Sequence, residues 1–161
     1  MTATPQRPVL LWGVVGLCLA ALAAALLTQH GFDMQPCAWC VLQRLIFLCI
    51  ALAALIGLAW RAAPGQVLSA LLMLGLSLSG VAAALWQHFV AAASSSCNLT
   101  LADRIISGLG LDGSLPEIFQ PRASCAEAAV KLLGVPYEFW SLALFTLLAI
   151  VSLRMLMRRR G

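Results

Sequence analysis

Four apolar stretches fix what this chain can fold into. Residues 9–28, 41–60, 67–86 and 139–157 carry almost no charge, and each has the roughly 20 residues that a helix needs to cross a bilayer. A chain of 161 residues that is 62% hydrophobic and 10% charged, with mean hydropathy +0.96, leaves no room for a separate soluble domain. The expected fold is an all-α membrane protein, a four-transmembrane-helix bundle forming one integral membrane domain over residues 1–161, with connecting loops at about 29–40 and 87–138. The first stretch shares small residues at Ala23 to Ala25 with signal peptides. It is longer than their roughly 7–15-residue apolar region, so it is read as a span.

The positive charges orient the bundle. Arg7, Arg61, Arg154 and Arg158 to Arg160 fall at the N-terminus, the short middle connection and the C-terminus, which an even number of spans puts on one side. By the positive-inside rule that side is cytoplasmic. All six acids, Asp33, Asp103, Asp112, Glu117, Glu127 and Glu138, lie in the other two connections, which therefore face outward. The net charge of +4 is a topology signal, with the terminal arginines meeting anionic headgroups. It is not the signature of a nucleic-acid binder.

Four of the six cysteines, Cys37, Cys40, Cys97 and Cys125, map to the outward loops, where an oxidising compartment permits disulfides. Cys18 and Cys49 fall inside spans and read as small apolar packing residues. Cys37 and Cys40 form a Cys-x-x-Cys pair behind Pro36 at the mouth of the second span, and Arg44 follows Cys40 by four residues. On a helix that spacing is one turn, about 5–6 Å between Cβ atoms. Sulfur and cation share a face, and both the cation and the helix N-terminus favour a thiolate there. An arginine a turn inside a membrane helix is costly and functional by default; the competing reading is a side chain that snorkels to the headgroups. His88, at the end of the third span, sits at the same membrane level, although an isolated interfacial histidine is usually just solvated.

The remainder reads as scaffold. Gly75, Ser79 and Ala83 make a small-residue stripe along the third span that lets helices approach closely. In the long loop Leu101, Ile105, Ile106 and Leu109 recur at helical spacing, predicting a short helix on the membrane surface. Residues 127–133 predict a further helical turn or two, and the Gly and Pro content elsewhere predicts a mobile loop.

Two cysteine pairs on one side of a membrane admit three readings: a static disulfide framework, a four-thiolate zinc site, or an electron relay in which one pair passes electrons to the other. So short a loop as Cys-x-x-Cys closes little chain entropy, which makes it a poor staple. Zinc leaves Arg44 without a purpose and ties down a loop that thiol-disulfide exchange needs to move. The relay is the preferred reading.

Pro36-Cys-x-x-Cys40 with Arg44 at the start of the second of four spans, then Cys97 and Cys125 with Ser-Cys-Ala-Glu127 and a Leu-Gly-Val-Pro136 approach to the last span, resembles the bacterial DsbB family over essentially the whole chain. These inner-membrane thiol oxidoreductases reoxidise the periplasmic dithiol oxidase DsbA and hand the electrons to a quinone, which keeps the periplasm oxidising. The resemblance implies a multi-pass inner-membrane protein with both termini cytoplasmic. It implies a DsbA-like thioredoxin-fold partner, ubiquinone or menaquinone as cofactor, and no metal. It also implies roles. Reduced DsbA attacks Cys97 and releases Cys125; Cys125 attacks Cys37; Cys40 faces the quinone, with Arg44 on a quinone oxygen and His88 matching the family's histidine near the end of the third span.

Three features depart from the best-known pattern: Ala38-Trp39 between the paired cysteines, Gln43 where an acid is familiar, and the long loop, which differs most. A vitamin K epoxide reductase-like enzyme would place its active Cys-x-x-Cys near the last span, the opposite order. A tetraspan structural protein with stapled outer loops is the non-enzymatic alternative.

Overall fold

The computed structural model describes residues 6–92 and 100–157. Its four long helices contain apolar spans of 24, 22, 29 and 21 residues, about 32–44 Å at 1.5 Å per residue and so all long enough for a bilayer core of about 30 Å. They are α1 (Gln6–Gly31), α2 (Ala38–Ala59), α3 (Ala63–Trp86) and α7 (Tyr137–Met157). A π-helical turn, Gln87–Ala91, prolongs α3 beyond the expected end of the third span.

The bundle is ordered around α2. Helix α1 packs on one side of it, α3 on the other, and α7 packs on α3. Large apolar side chains such as Leu52, Leu71, Leu78 and Leu147 are exposed on the outside, where lipid takes the place of a protein core. Between helices the contacts are close. Ser69 donates to the Ala53 carbonyl at 2.7 Å, and Phe47 stacks on Phe145 with ring centroids 4.1 Å apart. From the first turn of α3, Gln66 Nε2 donates to the Gly57 and Trp60 carbonyls, satisfying the end of α2.

The close-packing stripe on α3 is not the expected one. Gly75 and Ser79 are exposed, and a Cβ on Gly75 would meet nothing within 4 Å. The buried line runs instead through Ser69, Met73, Ser77, Gly80 and Ala84, with Ala83 at its edge. A four-residue spacing drifts around a helix of 3.6 residues per turn, so the small-residue pattern alone does not tell which line faces the neighbour. At Gly80 a Cβ would lie 2.5 Å from the Phe145 ring. Gly80→Ala is therefore expected to lower stability by about 1–3 kcal/mol, the usual cost of overpacking. Gly75→Ala should leave it near wild type, and thermal unfolding in detergent checks both.

The long loop carries three short helices, α4 (Leu101–Gly108), α5 (Leu111–Ser114) and α6 (Pro116–Phe119). Helix α4 begins with a capping box in which Thr100 Oγ1 accepts from the Asp103 N–H and Asp103 Oδ2 accepts from the Thr100 N–H at 2.8 Å. It buries Ala102 and Ile106 and packs on α2, while Leu101 and Leu109 remain exposed. A short amphipathic helix was expected here, and its buried line fixes it to the head of the bundle.

Two loop expectations change. Residues 127–133 do not extend a helix: strands β1 (Lys131–Leu132) and β2 (Val135–Pro136) pair antiparallel, Lys131 opposite Pro136 and Leu132 opposite Val135. The two residues between them, Leu133 and Gly134, have φ of 54° and 82°, the sign pattern of a type I′ hairpin turn. The described loop is also docked rather than free. The N–H groups of Arg122 and Ala123 both donate to the Pro36 carbonyl, at 2.9 and 3.3 Å, and Gln29 Nε2 donates to the Glu117 carbonyl at 3.2 Å.

Candidate functional site

Pro36 and Cys37 sit where the two loops cross. Cys37 is the N-cap of α2, with extended backbone (φ −83°, ψ 170°), and its sulfur accepts from the Cys40 N–H at 3.3 Å. That turn brings the two sulfurs to 2.9 Å, both as free thiols. The hydrogen bonds from Arg122 and Ala123 to Pro36 pull the second loop over the same point. Ser124 and Glu127 then close a reciprocal turn: the Ser124 N–H and hydroxyl donate to Glu127 Oε2 at 2.9 and 2.7 Å, and the Glu127 N–H donates back to Ser124 Oγ at 3.3 Å. Those donors hold the Glu127 carboxyl below its ordinary range. The turn presents Cys125, whose thiol lies in hydrogen-bonding contact with Cys37.

The three sulfurs are not equivalent. Cys37 is fully buried and contacts both other thiols. Its hydrogen bonds with Cys125 and then Cys40, followed by burial, push its thiol up. Cys125 is half-buried and moves the other way, because the Cys37 thiol and the Trp39 backbone N–H both donate to it, outweighing burial. Of the two, Cys125 is the sulfur shifted toward the thiolate, the nucleophilic form. Cys97 lies outside the described residues.

Cys40 is held by a different set. Gln87, 2% exposed on the π turn, donates from Nε2 to the Cys40 sulfur at 3.2 Å. Its Oε1 accepts from Gln43 Nε2 at 2.7 Å. The Gln43 amide thus fixes which end of Gln87 faces the sulfur. Replacing Gln87 by leucine removes that donor, and Cys40 is expected to react with iodoacetamide roughly tenfold more slowly, the weight of one hydrogen bond to a charged group. Mass spectrometry of the alkylated protein reads the rate.

Arg44 does not snorkel. It is 5% exposed, and its guanidinium donates to Gln29 Oε1 at 2.6 Å, the Ile118 carbonyl at 2.9 Å and the Ala25 carbonyl at 3.3 Å. It joins α1 and α6 to α2, and these bonds leave two of the five guanidinium N–H groups uncommitted among the described residues. Cys40, Gln43, Arg44, Gln87 and Glu138 all border a cavity of about 250 Å³ whose other walls are largely apolar, Phe47 and Leu144 among them. His88 stands behind this wall rather than in it: its Nδ1 is 2.6 Å from Glu138 Oε1.

The family model for disulfide bond formation protein DsbB matches residues 6–155. The chain belongs to the DsbB family. Similar relatives include disulfide bond formation protein B of Aromatoleum aromaticum, 32% identical over 92% of each chain. Another is disulfide bond formation protein B 2 of Pseudomonas aeruginosa strain PAO1, 35% identical over 88% of this chain and 86% of that one. As a DsbB-family protein it is a membrane thiol oxidoreductase that generates disulfides. Its fold is the expected four-helix membrane bundle.

Of the residues expected in the site, Cys37, Cys40 and Cys125 come together, Arg44 borders the cavity next to Cys40, and His88 reaches it only through Glu138. Gln29, Gln87 and Glu138 were not anticipated as site residues. Their common signal is a polar side chain buried at the end of an apolar helix, which membrane segments carry only where it has partners or a function.

Proposed function

We propose that this DsbB-family protein passes electrons from a periplasmic DsbA-like dithiol protein through two cysteine pairs to a membrane quinone. The single observation that supports this most is the central position of Cys37, whose thiol touches Cys40 on one side and Cys125 on the other. A staple would hold its sulfurs in one pairing. This arrangement suits a sulfur that changes partner.

The sequence of exchanges follows. The partner's thiolate attacks Cys97 of a Cys97–Cys125 disulfide and releases Cys125 as a thiolate. Cys125 attacks Cys37 of a Cys37–Cys40 disulfide; the Cys37–Cys125 bond forms, and the Cys37–Cys40 bond breaks with its electron pair on Cys40. The partner's second thiolate attacks the partner's own sulfur in the mixed disulfide, closing the partner's disulfide and freeing Cys97 as a thiolate. Cys97 then displaces Cys37 from Cys125, leaving the Cys37–Cys40 pair with the two electrons. At Cys40, the Gln87 N–H and the N-terminus of α2 stabilise the charge that arrives.

The cavity suits a quinone ring. Its walls are mainly apolar, it borders the Cys40 sulfur, and Arg44 offers uncommitted N–H donors for a ring oxygen. At about 250 Å³ it is smaller than the roughly 300–1,000 Å³ of drug-sized ligand sites, which fits a ring head whose apolar tail lies in lipid. When bound, a quinone supplies a two-electron, two-proton acceptor. The same reading puts the two long loops on the periplasmic side of the inner membrane, both termini in the cytoplasm, and the whole chain in one integral domain. Mixing purified protein with a reduced DsbA-like dithiol protein and a short-chain ubiquinone should consume quinone and oxidise the dithiol in equal amounts. No consumption by the wild-type protein would sink the proposal.

A further inference from the structure

Glu138 stands apart from the groups that the relay uses. It lies in the first turn of α7, is 4% exposed, and shares the cavity wall with Cys40 and Arg44. Its Oε1 meets His88 Nδ1 at 2.6 Å, but its Oε2 is buried with no hydrogen-bond partner. Gln35 Oε1, the other buried side-chain oxygen without a partner among the described residues, belongs to the same cavity wall. Buried polar atoms are nearly always paired, because a bare one loses its water for nothing. Two bare oxygens around one cavity therefore point to a ligand that completes them.

His88 supplies the other half of a path. Its side chain is 32% exposed, its ring is held edge-on by Phe89 and Phe139, and it does not border the cavity. It links the buried acid to the exposed end of the third span. The remaining titratable groups around the cavity are Cys40, Arg44 and Tyr137. Arg44 keeps its protons under all ordinary conditions, Tyr137 is paired with the Thr28 hydroxyl at 3.2 Å, and Cys40 is the electron source.

We propose that Glu138 and His88 are a proton-delivery pair for quinone reduction, Glu138 giving a proton from Oε2 to a ring oxygen and His88 replacing it from water. The proposal rests on the quinone reading above. Oxidising the Cys37–Cys40 dithiol to a disulfide releases two electrons and two protons, and converting quinone to quinol takes up two of each. Glu138 provides one proton of the quinol and one thiol proton provides the other. The second thiol proton leaves to water, and His88 takes one from water and passes it through Nδ1 to Oε1. A half-turn of the carboxyl about its last bond returns that proton to the cavity side. Glu138 is then a catalytic residue and His88 a positioning residue that acts through it.

The test uses the full chain in detergent, stripped of quinone, with a short-chain ubiquinone as probe. Binding is read from quenching of tryptophan emission, since Trp140 borders the cavity. Glu138→Gln keeps a polar wall but has no acidic proton. It is expected to bind quinone within about threefold of wild type and to reduce it at least about a hundredfold more slowly, the usual weight of a general acid. Thiol exchange with the reduced partner, followed without quinone, should stay at the wild-type rate. Glu138→Leu should weaken binding by about tenfold, as expected for a lost hydrogen bond. His88→Ala should reduce quinone at least about tenfold more slowly and be rescued by added imidazole, which should do nothing for Glu138→Gln. Wild-type reduction rates in Glu138→Gln, or no imidazole rescue of a His88→Ala protein that still exchanges thiols, would overturn the proposal. If Glu138→Gln fails the exchange assay, the imidazole rescue decides alone. Wild-type protein that exchanges thiols but neither binds nor reduces quinone would overturn the quinone reading, a distinct result.

Discussion

Cys40→Ser is expected to reduce quinone-linked turnover to background while leaving the bundle folded. The loss would be chemical. Attack of Cys125 on Cys37 needs a leaving sulfur, and a serine at position 40 can neither form the bond to Cys37 nor carry electrons away from it. The surroundings would tolerate the change, because a hydroxyl still accepts from the Gln87 amide that donates to the sulfur at 3.2 Å, and Cys37 still caps α2 with a sulfur that accepts the N–H of residue 40.

The same variant should reveal what Cys37 does when deprived of Cys40. Its thiol already contacts Cys125, so in oxidised protein it should exchange with the loop pair and form a Cys37–Cys125 crosslink across the two loops. Peptide mapping without reductant would detect the crosslink. Cys18→Ser and Cys49→Ser should turn over quinone nearly as wild type, since those residues sit within α1 and α2, away from the sulfur cluster. Appreciable turnover by Cys40→Ser would exclude Cys40 as the exit for electrons.

Length and hydropathy made the four spans legible, because a bilayer imposes one strong constraint on every crossing segment. The Cys37–Cys40 pair and Arg44 were legible because their relation is local, set by one turn of one helix. What escaped was non-local or rested on backbone choices that the pattern does not encode. Gln43 meets Gln87 across 44 positions of sequence and His88 meets Glu138 across 50, and only the packing of α2, α3 and α7 decides those meetings. Glu138 in particular looked like one more outward-facing acid. The hairpin at Leu133 and Gly134 escaped because it puts a leucine at φ 54°, a conformation that leucine seldom adopts. The small-residue stripe on α3 failed for the reason given by Gly75 and Gly80: both are small, yet only Gly80 faces an aromatic neighbour.

Arg44→Ala should produce two effects that can be measured separately, because the guanidinium does two things. Its bonds to Gln29, Ile118 and Ala25 tie α1 and α6 to α2. Its removal takes the donor from Gln29 Oε1 and the Ile118 carbonyl, each at a cost of about 1–3 kcal/mol unless water fills the gap, while the Ala25 carbonyl keeps the Thr28 hydroxyl at 3.0 Å. A lower Tm in detergent is the expected readout. Its uncommitted N–H groups at the cavity would hold a quinone oxygen, and losing a charged hydrogen bond of about 1.5–3 kcal/mol corresponds to a ten- to hundredfold rise in the apparent KM for quinone. Gln29→Leu separates the two. It removes one of the struts, at 2.6 Å, and leaves the cation in place, so it should lower Tm with little change in KM. Arg44→Lys keeps the charge but not the planar fork, so it should recover part of the KM effect and little of the Tm loss. If Arg44→Ala lowers Tm and leaves KM unchanged, the arginine is a strut alone, and the cavity would have to hold its quinone by Cys40, Gln35 and Glu138.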